Sequence, residues 1–171
     1  MGDPRRLSKK YESPRKLWDT ARITEESGLV EEYGLKNTRE LWRAKAKLGS
    51  IRRDARILLS KGDQGRAEAK QLLDKVVRLG FGNENTSLED LLSLTIRDIL
   101  ERRLETRVYK RGFAKSLVQS RQLIKHGFIS ISGKKVSVPG YIVPASEENQ
   151  IGYYKAIDIN AGSKETAPKS S

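Results

Sequence analysis

The stretch SLVQSRQLIKHGFISISGKKVSV, residues 116–138, decides the fold, because its hydrophobic period changes from helical to alternating partway through. Ser116 and Gln119 have capping-box spacing, and Leu117, Ser120 and Ile124 recur on one helical face as far as His126. Gly127 stands where a left-handed residue ends a helix. From Phe128 to Ser132 apolar and polar residues alternate, Gly133-Lys134 supplies a turn, and residues 135–138 alternate back. The pattern predicts a helix followed at once by a β-hairpin.

Upstream, residues 96–110 read as one helix with Leu100, Leu104 and Val108 as its core stripe. Arg103, Arg107 and Arg111 repeat that spacing one residue earlier, a cationic row bordering the apolar face, and Gly112 ends the helix. Arg121 and Lys125 lie on the flank of the next helix, and Lys134 at the hairpin tip is expected near them. Downstream, residues 141–143 and 151–159 are expected strands. The Lys/Ser/Ala-rich residues 161–171 form a tail too polar to order.

The first hundred residues read as helical. Residues 1–22 form an extended basic arm (Arg5, Arg6, Lys9, Lys10, Arg15, Lys16) with Trp18 as its anchor, and Thr24 caps a short acidic helix that Gly34 ends. Asn37 caps a long helix over residues 38–60, with Glu40 at the capping-box position and Leu41, Leu48, Ile51, Ala55, Leu58 and Leu59 at core spacing. On another face of it fall Lys45, Arg52 and Arg56. A second amphipathic helix spans residues 66–79, followed by a Gly80-Phe81-Gly82-Asn83 turn and two capping signatures, Ser87 with Asp90 and Thr95 with Asp98. The fold class is therefore α+β: a basic arm (1–22), a helical domain (23–95), a small two-helix and β-hairpin module (96–160) and a tail (161–171).

Charge narrows the function. The chain carries 34 Lys and Arg against 22 Asp and Glu, a net +12. Residues 106–146 hold no carboxylate at all but eight Lys or Arg and the one histidine. Average usage would put about five acids there, and a one-sign segment of this length fits a polyanionic partner whose phosphates a carboxylate would repel. No apolar run approaches the roughly 20 residues of a spanning helix, and 6% aromatic residues give little support to a membrane-surface role. With no cysteine and one histidine, disulfides, thiolate metal sites and a nucleophile–base pair find no residues. His126 has a bland reading as well, since a helix C-terminus favours its positive charge.

Three runs carry a resemblance: Arg103-Leu104-Glu105; Ser116-x-x-x-Ser120-Arg121-Gln122-Leu123-Ile124-x-x-Gly127; and Ile129-x-Ile131-x-Gly133-Lys134-x-Val136-x-Val138-Pro139. Together they resemble the alpha-L-like RNA-binding module named after ribosomal protein S-four, which tyrosyl-tRNA synthetases and pseudouridine synthases share. The N-terminal half discriminates among these. Tyr33-Gly34-Leu35-Lys36-Asn37-x-Arg39-Glu40-Leu41-Trp42-Arg43, Arg52-Arg53-x-Ala55-Arg56 and the run from Leu94 to Leu104 resemble the archaeal and eukaryotic branch of the ribosomal protein family. One departure is Ser132-Gly133 where Asn-Gly is usual at the hairpin.

The resemblance implies a primary rRNA-binding protein of the small ribosomal subunit, cytoplasmic on the ribosome. It implies docking at a 5′-domain rRNA junction early in assembly, bordering the mRNA entry channel beside neighbouring ribosomal proteins, with no cofactor, metal or small-molecule substrate. The RNA-binding residues expected are Arg103, Arg107, Lys110, Arg111, Lys115, Arg121, Gln122, Lys125, His126 and Lys134, then Arg52, Arg53 and Arg56, and Arg5, Arg6, Lys9 and Lys10 of the arm. The alternative, an RNA-modifying enzyme that uses the module for docking, needs a catalytic domain for which about 95 helical residues before the module and a short tail after it leave no room.

Overall fold

The computed structural model describes residues 9–83 and 85–155. Arg5, Arg6, the tail and the end of the expected final strand lie outside them. The elements are α1 (Thr20–Glu32), α2 (Thr38–Lys61), a 3-10 turn (Gly62–Gly65), α3 (Arg66–Arg78), α4 (Asp90–Ser93), α5 (Ile96–Glu101), α6 (Leu104–Lys110), α7 (Leu117–His126), β1 (Ile129–Ile131), β2 (Lys134–Lys135), a second 3-10 segment (Ala145–Gln150) and β3 (Ile151–Tyr153).

The long helix follows its sequence signals closely. Asn37 caps α2 by accepting the Glu40 amide, and Leu41, Leu48, Ile51, Ala55 and Leu58 are buried along one face. Leu59, expected in the core, is exposed because it lies off that stripe. α1 begins earlier than expected: its cap is Asp19, which accepts the Arg22 amide, while the Thr24 hydroxyl bonds back to the Thr20 carbonyl inside the helix. Trp18 does not anchor the arm. It is 89% exposed, and the aromatic contact holding the arm is Tyr11 against Trp42, ring centroids 6.0 Å apart.

A first core gathers α1 to α5, with Leu41, Leu91 and Leu100 fully buried at its centre. Each such leucine contributes roughly 1.5–3 kcal/mol by burial. A second core joins Leu104 and Val108 of α6, Ile124 of α7, Ile129 of β1 and Val143. The stripe Leu100–Leu104–Val108 is buried throughout, yet it is divided between the two cores. The cores thus part after Leu100, and α5 packs with the helical domain although the expected division at 95/96 assigns it to the module.

The reason is a correction to the single helix expected over residues 96–110. The chain leaves the helix at Arg102 and Arg103, where Arg103 is extended (φ −68°, ψ 143°). Residues 139–143 compete for its backbone: the Leu104 amide donates to the Tyr141 carbonyl at 2.8 Å, and the Val143 amide to the Arg102 carbonyl at 3.0 Å. Thr106 Oγ1 donates to the Leu100 carbonyl at 2.9 Å, satisfying an acceptor the helix gives up. The expected strand at 141–143 is therefore not part of the sheet; Ile142 forms an isolated bridge with Arg103 instead.

The sheet has order β2-β1-β3, antiparallel throughout, with Ile131 opposite Lys134 and Ile151. The hairpin turn falls one residue earlier than expected, on Ser132 (φ 52°) and Gly133 (φ 76°), the two left-handed positions of a two-residue turn with primed geometry. Gly127 closes α7 in the left-handed conformation, as its position predicts. Tyr153 of β3 donates its hydroxyl to the Phe113 carbonyl at 2.7 Å and packs edge-on against the Phe113 ring, tying the sheet to the α6–α7 loop.

Candidate RNA interface

The strongest cationic expectation was the row Arg103, Arg107, Arg111 with Arg121 beside it. The structure brings all four together with acceptors from outside the acid-free segment. Glu40, at the start of α2, accepts from Arg103 Nη2 at 2.6 Å and from Arg121 Nη1 and Nη2 at 3.1 and 2.7 Å. Its side chain therefore joins two arginines rather than completing a capping box with Asn37. Glu105, wholly buried, accepts from Arg121 Nε and Nη2 at 3.0 and 2.9 Å, and Arg103 lies 3.5 Å from it. Ser120 bonds the Glu105 carbonyl at 2.7 Å, locking α7 against α6. Two guanidiniums and two carboxylates thus form a clasp between the helical domain and the module.

The electrostatics follow the geometry. Burial pulls Glu40 upward, but Arg121 and Arg103 outweigh it and hold its carboxyl below the ordinary value. Burial pushes Glu105 up, against the pull of Arg121 and Arg103 and reinforced by Glu40. A second cluster surrounds Glu148, which takes Arg102 at 2.7 Å and Arg107 at 3.0 Å. Arg102, which the sequence reading passed over, is nearly buried and also donates to the Val143 carbonyl at 2.8 Å. Arg111 donates to Asn149 at 2.6 Å, and Lys110 pairs with Glu101 at 3.1 Å, both at the surface.

Once these pairs are made, the outward charge comes from other residues. Lys115, Gln122, Lys125, His126 and Lys134 are exposed and have no carboxylate partner among the described residues. Lys135, also missed, lays its stem along the end of α7: a Cβ built on Gly127 would fall 1.9 Å from its Cε. It joins Lys125 and His126 at the helix C-terminus, where the dipole favours positive charge. On α2, Arg53 and Arg56 are exposed, whereas Arg52 is half-buried and donates to the Leu94 carbonyl at 2.6 Å. Lys9 and Lys10 of the arm are exposed. Of the expected RNA-binding residues that the structure describes, Arg103 lies furthest from the surface, with 8% of its side chain exposed. The sequence signals for these acceptors are faint: Glu105 is the last acid before the acid-free stretch, and the position of Glu40 is already explained by the helix cap.

Comparison with known proteins places this arrangement. The S4 domain family model matches residues 102–149, the span from the helix break through the second 3-10 segment. A small ribosomal subunit protein uS4 from Methanothermobacter thermautotrophicus is 47% identical over 155 residues, covering 90% of this chain and 91% of that one. Its counterpart from Ignicoccus hospitalis is 51% identical over 154 residues, 90% and 93% of the two chains, and that from Methanosphaera stadtmanae 42% identical over 160 residues, 93% and 88%. Identity of 42–51% over nine-tenths of the chain shows the family: the chain belongs to the small ribosomal subunit protein uS4 family.

Proposed function

We propose that this protein is a structural, non-catalytic constituent of the small ribosomal subunit that binds small-subunit rRNA and works in the cytoplasm as part of the ribosome. The observation that carries the RNA-binding face is the set of unpaired surface cations on the module. These are Lys115, Lys125 and Lys134, which stand on α7, its N-terminal approach and the hairpin, in a segment without carboxylates, with the exposed His126 side chain following Lys125. Structured RNA is recognised largely through shape, phosphates and 2′-hydroxyls, for which exposed cations on rigid elements are suited. Arg53 and Arg56 of α2 and Lys9 and Lys10 of the arm are exposed as further contacts, while Arg52, Arg103, Arg107 and Arg121 hold the scaffold. The finer reading is docking at a 5′-domain junction during early assembly, next to neighbouring ribosomal proteins and the mRNA entry channel.

The test is binding to small-subunit rRNA measured across a salt series. Affinity should fall steeply, with a log–log slope of roughly −0.7 to −0.9 per phosphate contact. The pair Lys125→Ala and Lys134→Ala should make that slope shallower by about 1.5 while the unfolding midpoint stays put. A flat salt dependence, or an unchanged slope in the double variant, would refute the assignment.

A further inference from the structure

Where the arm, α2 and the residue 138–142 segment meet there is a cleft of about 530 Å³. Three cations with no carboxylate partner among the described residues line it, Lys10 of the arm and Arg43 and Lys47 of α2, together with Arg103 at the helix break, whose charge is paired with Glu40. Glu40 also lines it, but its charge is already taken up by Arg103 and Arg121. The walls between the cations are apolar, formed by Ala44, Ile99, Val138, Pro139 and Ile142. Val138 stands well exposed at the rim.

Two features bear on what the cleft would hold. Arg103 is more than nine-tenths buried, yet its Nε finds no acceptor. That Nε is sealed from solvent, as are the unpartnered Nε atoms of Arg22, Arg52, Arg102 and Arg107, so a ligand would meet Arg103 through the part of its side chain that lines the cleft. Lys47 is half-buried with its Nζ 5.6 Å from the Phe81 ring, and burial with Lys75 nearby pushes its ammonium pKa down, a site where an anion would be favoured.

We propose that this interdomain cleft receives a single nucleotide turned out of the bound RNA. Its base lies between the apolar walls, its phosphate meets Arg43, Lys47 and Lys10, and a base or ribose acceptor faces Arg103. The inference rests on the RNA-binding function proposed above and adds a base-sized subsite to a face otherwise made of phosphate contacts. An apolar slot rimmed by cations suits an unstacked base, which offers a flat face and a charged backbone together. The subsite also gives Arg103 an RNA-facing role that its burial would otherwise deny it.

The test uses the full chain and small-subunit rRNA carrying 4-thiouridine. Irradiation followed by peptide mass spectrometry should place a cross-link in residues 43–47 or 138–142. The variant Ala46→Trp, which fills the cleft from an already helical position, should weaken binding roughly 5- to 150-fold. Arg43→Ala, at an exposed site, should lower the salt slope by about one phosphate contact. Its unfolding midpoint should match that of the unsubstituted chain. Steep, salt-dependent rRNA binding with cross-links confined to α7 and the hairpin would overturn the cleft while leaving the RNA-binding function standing. No rRNA binding by the unsubstituted chain would overturn both. Tight binding of free AMP at the cleft without RNA would assign it to mononucleotides, and saturation by a ribosomal protein neighbour instead of RNA would assign it to protein; either overturns the inference.

Discussion

Replacing Glu40 by alanine tests the clasp most directly. Glu40 accepts three hydrogen bonds from two guanidiniums, at 2.6, 2.7 and 3.1 Å, with its side chain 20% exposed. Removing one partner of a fully buried ion pair typically costs 3–5 kcal/mol, because a charge is left without compensation. Two facts reduce that here. Arg121 keeps both of its bonds to Glu105, and solvent reaches part of Glu40. Arg103 retains only Glu105, at 3.5 Å.

The expected loss is therefore about 2–3 kcal/mol, which for a chain of this size lowers the unfolding midpoint by roughly 5–10 °C. Urea denaturation measures it, with Glu32→Ala as the control. That substitution breaks the Arg97–Glu32 pair, whose side chains are 60% and 44% exposed, and should cost at most about 1 kcal/mol. A double-mutant cycle with Arg121→Ala should give a favourable coupling of about 1–2 kcal/mol. If Glu40→Ala loses no more than Glu32→Ala, or the cycle shows no coupling, the clasp does not hold the two cores together.

Two further outcomes are expected. Glycines 80 and 127 both have positive φ, but a Cβ at Gly80 would meet the guanidinium carbon of buried Arg102 at 2.6 Å, whereas at Gly127 it meets the far end of an exposed lysine. Gly80→Ala should thus cost clearly more than the roughly 1–2 kcal/mol of backbone strain expected for Gly127→Ala, and equal losses by urea denaturation would contradict this. On acidification, Glu26, Glu40 and Glu148 are each held below the ordinary carboxylate value by their cationic partners despite burial. Their stabilisation is complete above the unfolded value of about 4.5 and is lost as pH falls through their lower folded values; Glu105, pushed up, works in the opposite sense. With Asp90 also held low by its bonds from Ser87, four carboxylates against one predict a net loss of stability as pH falls below about 4.5, and a flat stability profile between pH 5 and pH 3 would contradict it.

Local chemistry wrote most of the elements into the sequence. The Asn37 cap, the left-handed Gly127 and the switch from helical to alternating period at Phe128 depend only on neighbouring residues, and all three stand in the structure. The errors arise where remote segments compete for the same groups. Helical spacing runs unbroken from Ile96 to Lys110, and nothing local reveals that carbonyls from residues 139 and 141 will take the Glu105 and Leu104 amides.

The charge pattern divides in the same way. The chain's excess of Lys and Arg, and the stretch without carboxylates, are properties of composition and were enough to indicate a polyanionic partner. Which cations remain free for that partner was decided by folding. Arg121 meets Glu40 across 81 positions, and Arg102 meets Glu148 across 46. Periodicity assigns a residue to a helix face, but only packing determines whether the opposing surface is solvent or another segment's carboxylate.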